Sequence, residues 1–432
     1  MNMGSLRQPA TQVARWHITL AMLLAALALL STPVFAVPVA FVGFLVAPRA
    51  ALPAAGVVLV KNLGFAQLAG PMFGQMNLTD VCLTLFVARS LGSLSGDLRN
   101  PPMHLLASGG FLAWSLIVTL IEGVSATPLL RIALYVLAGL CVARDPQARR
   151  ILECAIVGYA FTELLLSLPM LPTRLFGPTI GDPAQFGGLM LVAATIVVFR
   201  VRPLIVRLPL ALYLVTGSIL SQTRSVWFAT AAIAALLFLR GRGRLLPVAV
   251  PALGALIGLP FIPWLTRIAH LNPDSAYVRA DSLQSSLDAI LSHPFTGQGW
   301  AYLSGTTLDA LHGGVGAYNL WLNVTAATGF VGLVFFAAWM VFAARDLGRV
   351  DKVGYTVLTI LLAMGLSEMP IYADSLLTIV FLLLVSPPAG NERIAVTDTS
   401  PLPAAAATSA ASASLPFAKS RPRREPPRPF LD

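Results

Sequence analysis

Charge is scarce in this 432-residue chain: Asp, Glu, Lys and Arg make up 11% of it, whereas 56% is hydrophobic. So little charge excludes an ordinary soluble domain, whose surface needs many more ionised side chains, and fits a chain whose solvent is lipid. Cysteine is nearly missing too. Cys82, Cys141 and Cys154 each sit inside an apolar run with no partner spacing, so neither a disulfide framework nor a metal site is supported, and all three are expected to be helix-packing residues. No repeat of 20 to 50 residues is present, which excludes solenoids and propellers. The net charge of +10 comes from short basic clusters between apolar runs. One continuous basic stripe, the electrostatic footprint of a nucleic-acid binder, is lacking, so no nucleic-acid partner is expected.

What is abundant is long apolar runs. They fall near 17–31, 33–47, 51–69, 79–94, 104–121, 128–143, 151–168, 184–200, 204–220, 225–239, 245–263, 318–343, 353–367 and 371–386. About 20 apolar residues span the hydrocarbon core as a helix. The fold expected is therefore all-α, a polytopic transmembrane bundle of 12 to 14 spans over residues 1–386. The count is loose at the N-terminal end, where Pro33, Pro38, Pro48, Pro53 and Lys61 interrupt the pattern. Arg7 and Arg15, then ITLAMLLAALALL and STPVFA, have the order of a signal peptide. With so many spans following, an uncleaved first helix is the reading adopted.

Basic clusters orient the bundle. Arg144, Arg149 and Arg150, then Arg200 and Arg202, then Arg240, Arg242 and Arg244, then Arg345, Arg349 and Lys352 fall in alternate loops, which assigns those loops to the cytoplasm. The opposite set is then periplasmic. It holds the Pro- and Gly-rich loop 169–183 and the large loop 264–317. Within the latter, Leu283, Leu287, Ile290 and Leu291 recur at helical spacing, as in an amphipathic helix lying on the membrane surface or on the bundle. Residues 387–432 lose all apolar periodicity and are expected to be a disordered cytoplasmic tail.

Several arginines then stand on the wrong face: Arg131, Arg174, Arg224, Arg267 and Arg279. Arg131, nine residues after Glu122, suits an ion pair or a position at the interface. Arg267 suits the interface as well. Arg224, in the SQTRS turn between two spans, Arg174 in its loop and Arg279 need another explanation, and a phosphate ligand supplies one, since guanidinium is shaped for bidentate contact with phosphate oxygens. In the HPFTGQGW stretch, Pro294, Gly297 and Gly299 allow tight backbone geometry and close approach of another chain or ligand, and His293, Gly297 and Gly299 are candidate substrate-binding residues.

The order of these features is specific. An SxTRS turn, a large loop with A-I-L-x-H-P-x-x-G-x-G-W, and then Y-N-L-W-L-N-V-T-A-A-T-G-F-V-G opening the next span together resemble the O-antigen ligase and Wzy polymerase superfamily of bacterial surface-polysaccharide assembly. The resemblance implies a GT-C-like helical glycosyltransferase, metal-independent and without cofactor, in the bacterial inner membrane with its active face periplasmic. Its donor would be an undecaprenyl-diphosphate-linked oligosaccharide. Membrane lipid and other polysaccharide assembly or export proteins are the remaining expected partners. By position, Arg224 and Arg279 are the arginines expected to hold the diphosphate, with Arg174 assisting.

Ligases of this superfamily resemble H-[NSQ]-x9-G-x-x-G, and here the matching stretch runs from Tyr318 and Asn319 to Gly329 and Gly332. Tyrosine replaces the histidine, and with a pKa near 10 it is a poor base at neutral pH. His312, among glycines six residues earlier, is a second candidate for that role. Glu163, Asp182, Asp281, Glu368 and Asp374 are the carboxylates considered as base, Glu368 and Asp374 also as residues at the mouth of the site. The tyrosine favours a polymerase over a ligase. A transporter or flippase of lipid-linked sugars is the rival of a different class.

Overall fold

A computed structural model describes residues 47–59, 78–94, 101–171, 173–178, 180–238, 273–300, 319–366 and 375–387. The regular elements among the described residues are all helical. In chain order they are α1 (Leu52–Leu59), α2 (Leu78–Ser90), α3 (Met103–Ile121), α4 (Thr127–Arg144), α5 (Pro146–Ser167), α6 (Pro183–Arg200), α7 (Leu204–Leu220), α8 (Arg224–Phe238), α9 (Pro273–Ser292), α10 (Leu320–Val350), α11 (Lys352–Met364) and α12 (Leu376–Val385). Five helices, α3, α4, α5 with its 3-10 extension to Met170, α6 and α10, are long and apolar enough to cross a membrane. The chain is an all-α, polytopic helical membrane protein. The apolar runs expected at 17–31 and 245–263, most of those at 33–47 and 51–69, and the tail lie outside the described residues.

Helix boundaries follow from capping, which corrects one expectation. The basic clusters were expected in loops, but Arg149 and Arg150 stand in the first turns of α5, and Arg345 and Arg349 in the last turns of α10. The connections themselves shrink to single acidic residues. Asp145 caps α5 by accepting from the Gln147 and Ala148 amides, and Asp351 caps α11 by accepting from Val353. A side-chain cap satisfies amides that have no partner inside the helix, so one residue is enough to turn the chain.

Contacts sort the helix ends into two sets. At one end, Arg149 Nε lies 3.1 Å from Glu153 Oε1 and its Nη2 2.6 Å from Asp351 Oδ2. Arg200 donates to both Glu153 oxygens at 2.8 Å. Arg49 pairs with Asp145, and His104 meets Asp346. The ends of α3, α4, α5, α6, α10 and α11 that carry the basic clusters therefore share this face, as the alternation in sequence requires. At the other end, Leu320 donates to the Gly365 carbonyl and Leu376 to the Gln185 side chain.

The core is built on α6, α11 and α12. Residues Gln185 to Val197 of α6 and all ten residues of α12 are buried, as expected of helices that are apolar all round. By contrast Leu106, Ile117 and Leu120 of α3 and Ile205, Leu208 and Leu212 of α7 are exposed, the mark of surfaces facing lipid. Cys82 and Cys141 are buried as expected; Cys154 is not a packing residue, for it points outward from α5. Arg131 finds a different partner from the one considered: its Nε lies 3.0 Å from Asp80 Oδ2, while Tyr135 donates to the other Asp80 oxygen, and Glu122 stays exposed. Burial of both ionised groups is tolerable only because each compensates the other.

Candidate functional site

The SQTRS turn connects α7 to α8 through Ser221, Gln222 and Thr223 alone. So short a reversal puts Gln222 in the left-handed region at φ 48°, and it is the one such non-glycine residue among those described. Left-handed backbone is costly for a residue with a Cβ, on the order of 1 kcal/mol. The strain is offset by inward-facing polar groups. Ser221 and Thr223 are buried, and the Thr223 hydroxyl lies 3.1 Å from both the Ser221 carbonyl and the Ser221 hydroxyl.

Arg224 is then the first residue of α8 and half-buried. A cation at a helix N-terminus opposes the macrodipole, by roughly 0.3–1 kcal/mol where it is exposed. Helix propensity therefore does not account for arginine here. The positive dipole end does favour an anion at this place.

The 171–182 loop brings Arg174 to the same turn. Its Nε donates to the Ser221 carbonyl at 2.8 Å and its Nη2 to the Thr223 hydroxyl at 3.3 Å, while the Leu175 amide donates to the Leu220 carbonyl at 3.2 Å. Two arginines 50 residues apart in sequence thus meet at one turn, Arg174 touching the residue next to Arg224. Arg174 is held by neutral oxygens and remains exposed; such bonds position a guanidinium without cancelling its charge. Beneath the loop lies Glu163, fully buried, with the backbone of Gly177 directly over its carboxylate. Asp182 is occupied as the cap of α6, accepting from Ala184 and Gln185.

The HPFTGQGW turn is a packing device. The amides of Gln298 and Gly299 donate at 2.9 Å to the Ala326 and Ala327 carbonyls of α10, Phe330 donates to the Pro294 carbonyl at 2.8 Å, and Trp300 donates to the Thr119 hydroxyl. These bonds are possible because α10 is broken at Gly329, whose φ is 67°. A Cβ at Gly329 would overlap the Phe295 carbonyl, and one at Gly297 would overlap the Ala327–Thr328 peptide. Gly297 and Gly299, expected as substrate-binding positions, are therefore placed by backbone approach, Gly299 lying against Val124 of the α3–α4 connection.

The same geometry explains the Asn-x9-Gly spacing. Asn319 caps α10 by accepting from Trp321 and Leu322, and its amide donates to the Leu366 carbonyl at 3.0 Å. The nine residues from Leu320 to Thr328 are one half-helix between that cap and the left-handed break. Trp114, which sequence reasoning missed, donates its indole N–H to the Thr328 carbonyl at 2.8 Å, satisfying an acceptor at the break. A tryptophan inside an apolar run carries no sequence signal for that task.

Of the remaining expected site residues, His293 is exposed and its Nδ1 lies 3.1 Å from the Ser292 hydroxyl. Arg279 belongs to α9, but its side chain lies outside the described residues, as do His312, Tyr318 and Glu368 entirely. Arg174, Arg224, Asn319 and the HPFTGQGW turn share the end opposite the carboxylate-braced arginines. Gly187 of α6 abuts Ser221, Gly188 abuts Met364 and Leu377, and Gly365 abuts Leu320. Ser221 and Thr223, also unforeseen as partners of Arg174, were hidden because nothing in sequence links positions 174 and 221.

A family model described as O-antigen ligase matches residues 209–337 and supports membership of the O-antigen ligase and Wzy superfamily. The matched stretch takes in the SQTRS turn, α9, the HPFTGQGW turn and the α10 break, and leaves out the Arg174 loop. Members of this family are glycosyltransferase-like enzymes. The curated proteins contain no match to the chain.

Proposed function

We propose that this membrane protein of the O-antigen ligase and Wzy superfamily is a Wzy-type polymerase of the bacterial inner membrane. It transfers a growing glycan from undecaprenyl diphosphate to the non-reducing sugar of a second lipid-linked repeat unit, in exopolysaccharide or O-antigen synthesis. The observation that carries this reading is the docking of Arg174 on the SQTRS turn beside Arg224. The positive-inside rule supports placing that turn in the periplasm, because the basic clusters gather at the opposite end.

In this mechanism an acceptor hydroxyl forms the new glycosidic bond as the bond between sugar and phosphate breaks. The electron pair leaves on the diphosphate, and the acceptor proton passes to a base. Arg224 and Arg279 hold the leaving diphosphate and Arg174 supports them; preorganised guanidiniums stabilise negative charge as it develops. His312 and Tyr318 are the candidates for the base that takes the acceptor proton, and Glu368 is a candidate for binding substrate. The shared Asn319 and Gly329 cap and break a half-helix, so they do not separate polymerase from ligase. Tyr318 is the position that favours the polymerase, and the family match is common to both readings.

Incubation of the purified full-length protein in nanodiscs with a defined undecaprenyl-diphosphate-linked repeat tests the proposal by product sizing. A ladder of polymers is expected, and Arg224→Lys lowers its yield by roughly 100-fold or more, the scale for losing one donor to a developing anion. Single repeat units with wild-type protein, together with transfer to a lipid A core acceptor, would establish the ligase instead. Net movement of the lipid-linked sugar across the bilayer without glycosidic bond formation would establish the transporter.

A further inference from the structure

The helix α9 (Pro273–Ser292) stands outside the spanning set, yet it carries an exposed apolar row. Leu283, Leu287 and Leu291 repeat every four residues, Leu291 being 77% exposed, and Phe295 continues the row in the following turn at 69%. At about 100° per residue, the described part of this helix divides into three adjacent sectors. Ser286, Ala289 and Ile290 are buried, the latter two against Leu322 and Ala326 of the α10 half-helix. Next around the helix come the three leucines. Beyond them lie Gln284, Asp288 and Ser292, all exposed, with Gln284 donating to Asp288 at 2.9 Å. Bundle, apolar row and polar row therefore follow in that order. A helix covered by another protein segment does not need this arrangement, but one lying where bundle, hydrocarbon and water meet does.

The depth of the row follows from α10. Phe330 donates its amide to the Pro294 carbonyl, so Phe295 lies beside the first residue after the break. From Phe330 to Val350 the helix runs 21 residues, about 31 Å, which matches the roughly 30 Å hydrocarbon core. Phe330 and Val334, the latter 67% exposed, already face outward on this membrane-crossing helix. The leucine row of α9 continues that lipid-facing surface at its edge.

We infer that α9 is an interfacial helix whose Leu283, Leu287, Leu291 and Phe295 are immersed among lipid acyl chains of the leaflet at the SQTRS end. Its polar row faces water and its buried face, with Ala289 and Ile290, rests on the α10 half-helix. Apolar burial of this kind is how amphipathic helices lie in the plane of a bilayer, and here it holds the HPFTGQGW turn at the membrane surface. The inference is independent of the glycan chemistry proposed above.

Spin labels at Leu287→Cys, Leu291→Cys, Gln284→Cys and Asp288→Cys, each in a full-length Cys154→Ser background in lipid nanodiscs, test this directly. Cys82 and Cys141 are buried and stay in place. The ratio of relaxation by oxygen, which concentrates in lipid, to relaxation by a water-soluble nickel chelate is expected to be several-fold higher at 287 and 291 than at 284 and 288. Equal ratios at all four sites would overturn the inference. So would exclusion of both reagents at 287 and 291, which would mean a protein segment or a second copy covers the row. Should the 287 variant fail to fold, the label at 291 decides alone, that side chain being the most exposed of the row.

Discussion

At one end of the bundle Arg149 and Arg200 close on Glu153 and Asp351, whereas at the other Arg174 is held by a backbone carbonyl and a threonine hydroxyl. The residue type is the same and its electrostatic effect is not. Carboxylates neutralise the first pair and lock three helices together. Neutral oxygens fix the orientation of Arg174 while leaving its charge to act outward, and the neighbouring Arg224 adds a second cation at the same turn. Arginines braced by carboxylates thus hold helices together at one end, and at the other the proposed function assigns Arg174 and Arg224 to an anion.

Breaking the braced end should have the largest effect on the fold. Glu153→Ala leaves the buried Arg149 with Asp351 alone and removes both bonds from Arg200 to Glu153, three charge-assisted contacts in all. A loss of about 3–5 kcal/mol is expected, read as a large fall in melting temperature in detergent; an unchanged melt would mean the network is not structural. Gly329→Ala comes next. It combines a left-handed φ with overlap of the Phe295 carbonyl, for an expected loss of about 2–4 kcal/mol, seen as thermal destabilisation with early proteolysis near the HPFTGQGW turn.

The opposite end should respond mainly in function. Arg174→Ala forfeits two hydrogen bonds to neutral oxygens and is expected to cost only about 1–2 kcal/mol of stability. Its larger effect falls on chain extension, so a melt as damaged as that of Glu153→Ala would erase the distinction between the two ends. Smallest of all, Gln222→Gly relieves the one non-glycine left-handed residue described and should raise stability by up to about 1 kcal/mol, measured by the same melt.

Much of the fold was legible in sequence because lipid imposes long apolar runs, and the runs at 104–121, 128–143, 184–200 and 204–220 match α3, α4, α6 and α7 to within a residue or two. The basic residues were legible as a set but displaced, since Asp145 and Asp351 cap helices and turn the chain in one residue. The amphipathic pattern of 283–291 left two homes open, membrane or bundle. The structure splits the pattern between them, Ile290 going to the bundle and the leucines outward. Arg174 and Arg224 were legible as cations of one face, whereas their company was not. Arg174 meets Ser221 and Thr223 through tertiary contact alone, with no sequence period to announce it. The turn at Gly297 and Gly299 was read as tight geometry open to a ligand or another chain, and here backbone bonds set it against α10, whose half-helix Asn319 caps.

The proposed function requires that the turn bearing Arg224, braced by Arg174, bind a lipid-linked diphosphate. Its most direct test is equilibrium binding of an undecaprenyl-diphosphate-linked repeat unit to the full-length protein in nanodiscs, comparing wild type with Arg224→Ala and Arg174→Ala at melting temperatures shown to be close to wild type. Loss of a charge-assisted contact of roughly 1.5–3 kcal/mol predicts about tenfold or more weakening for Arg224→Ala, with a smaller loss for Arg174→Ala. Wild-type affinity in both folded variants would contradict the account.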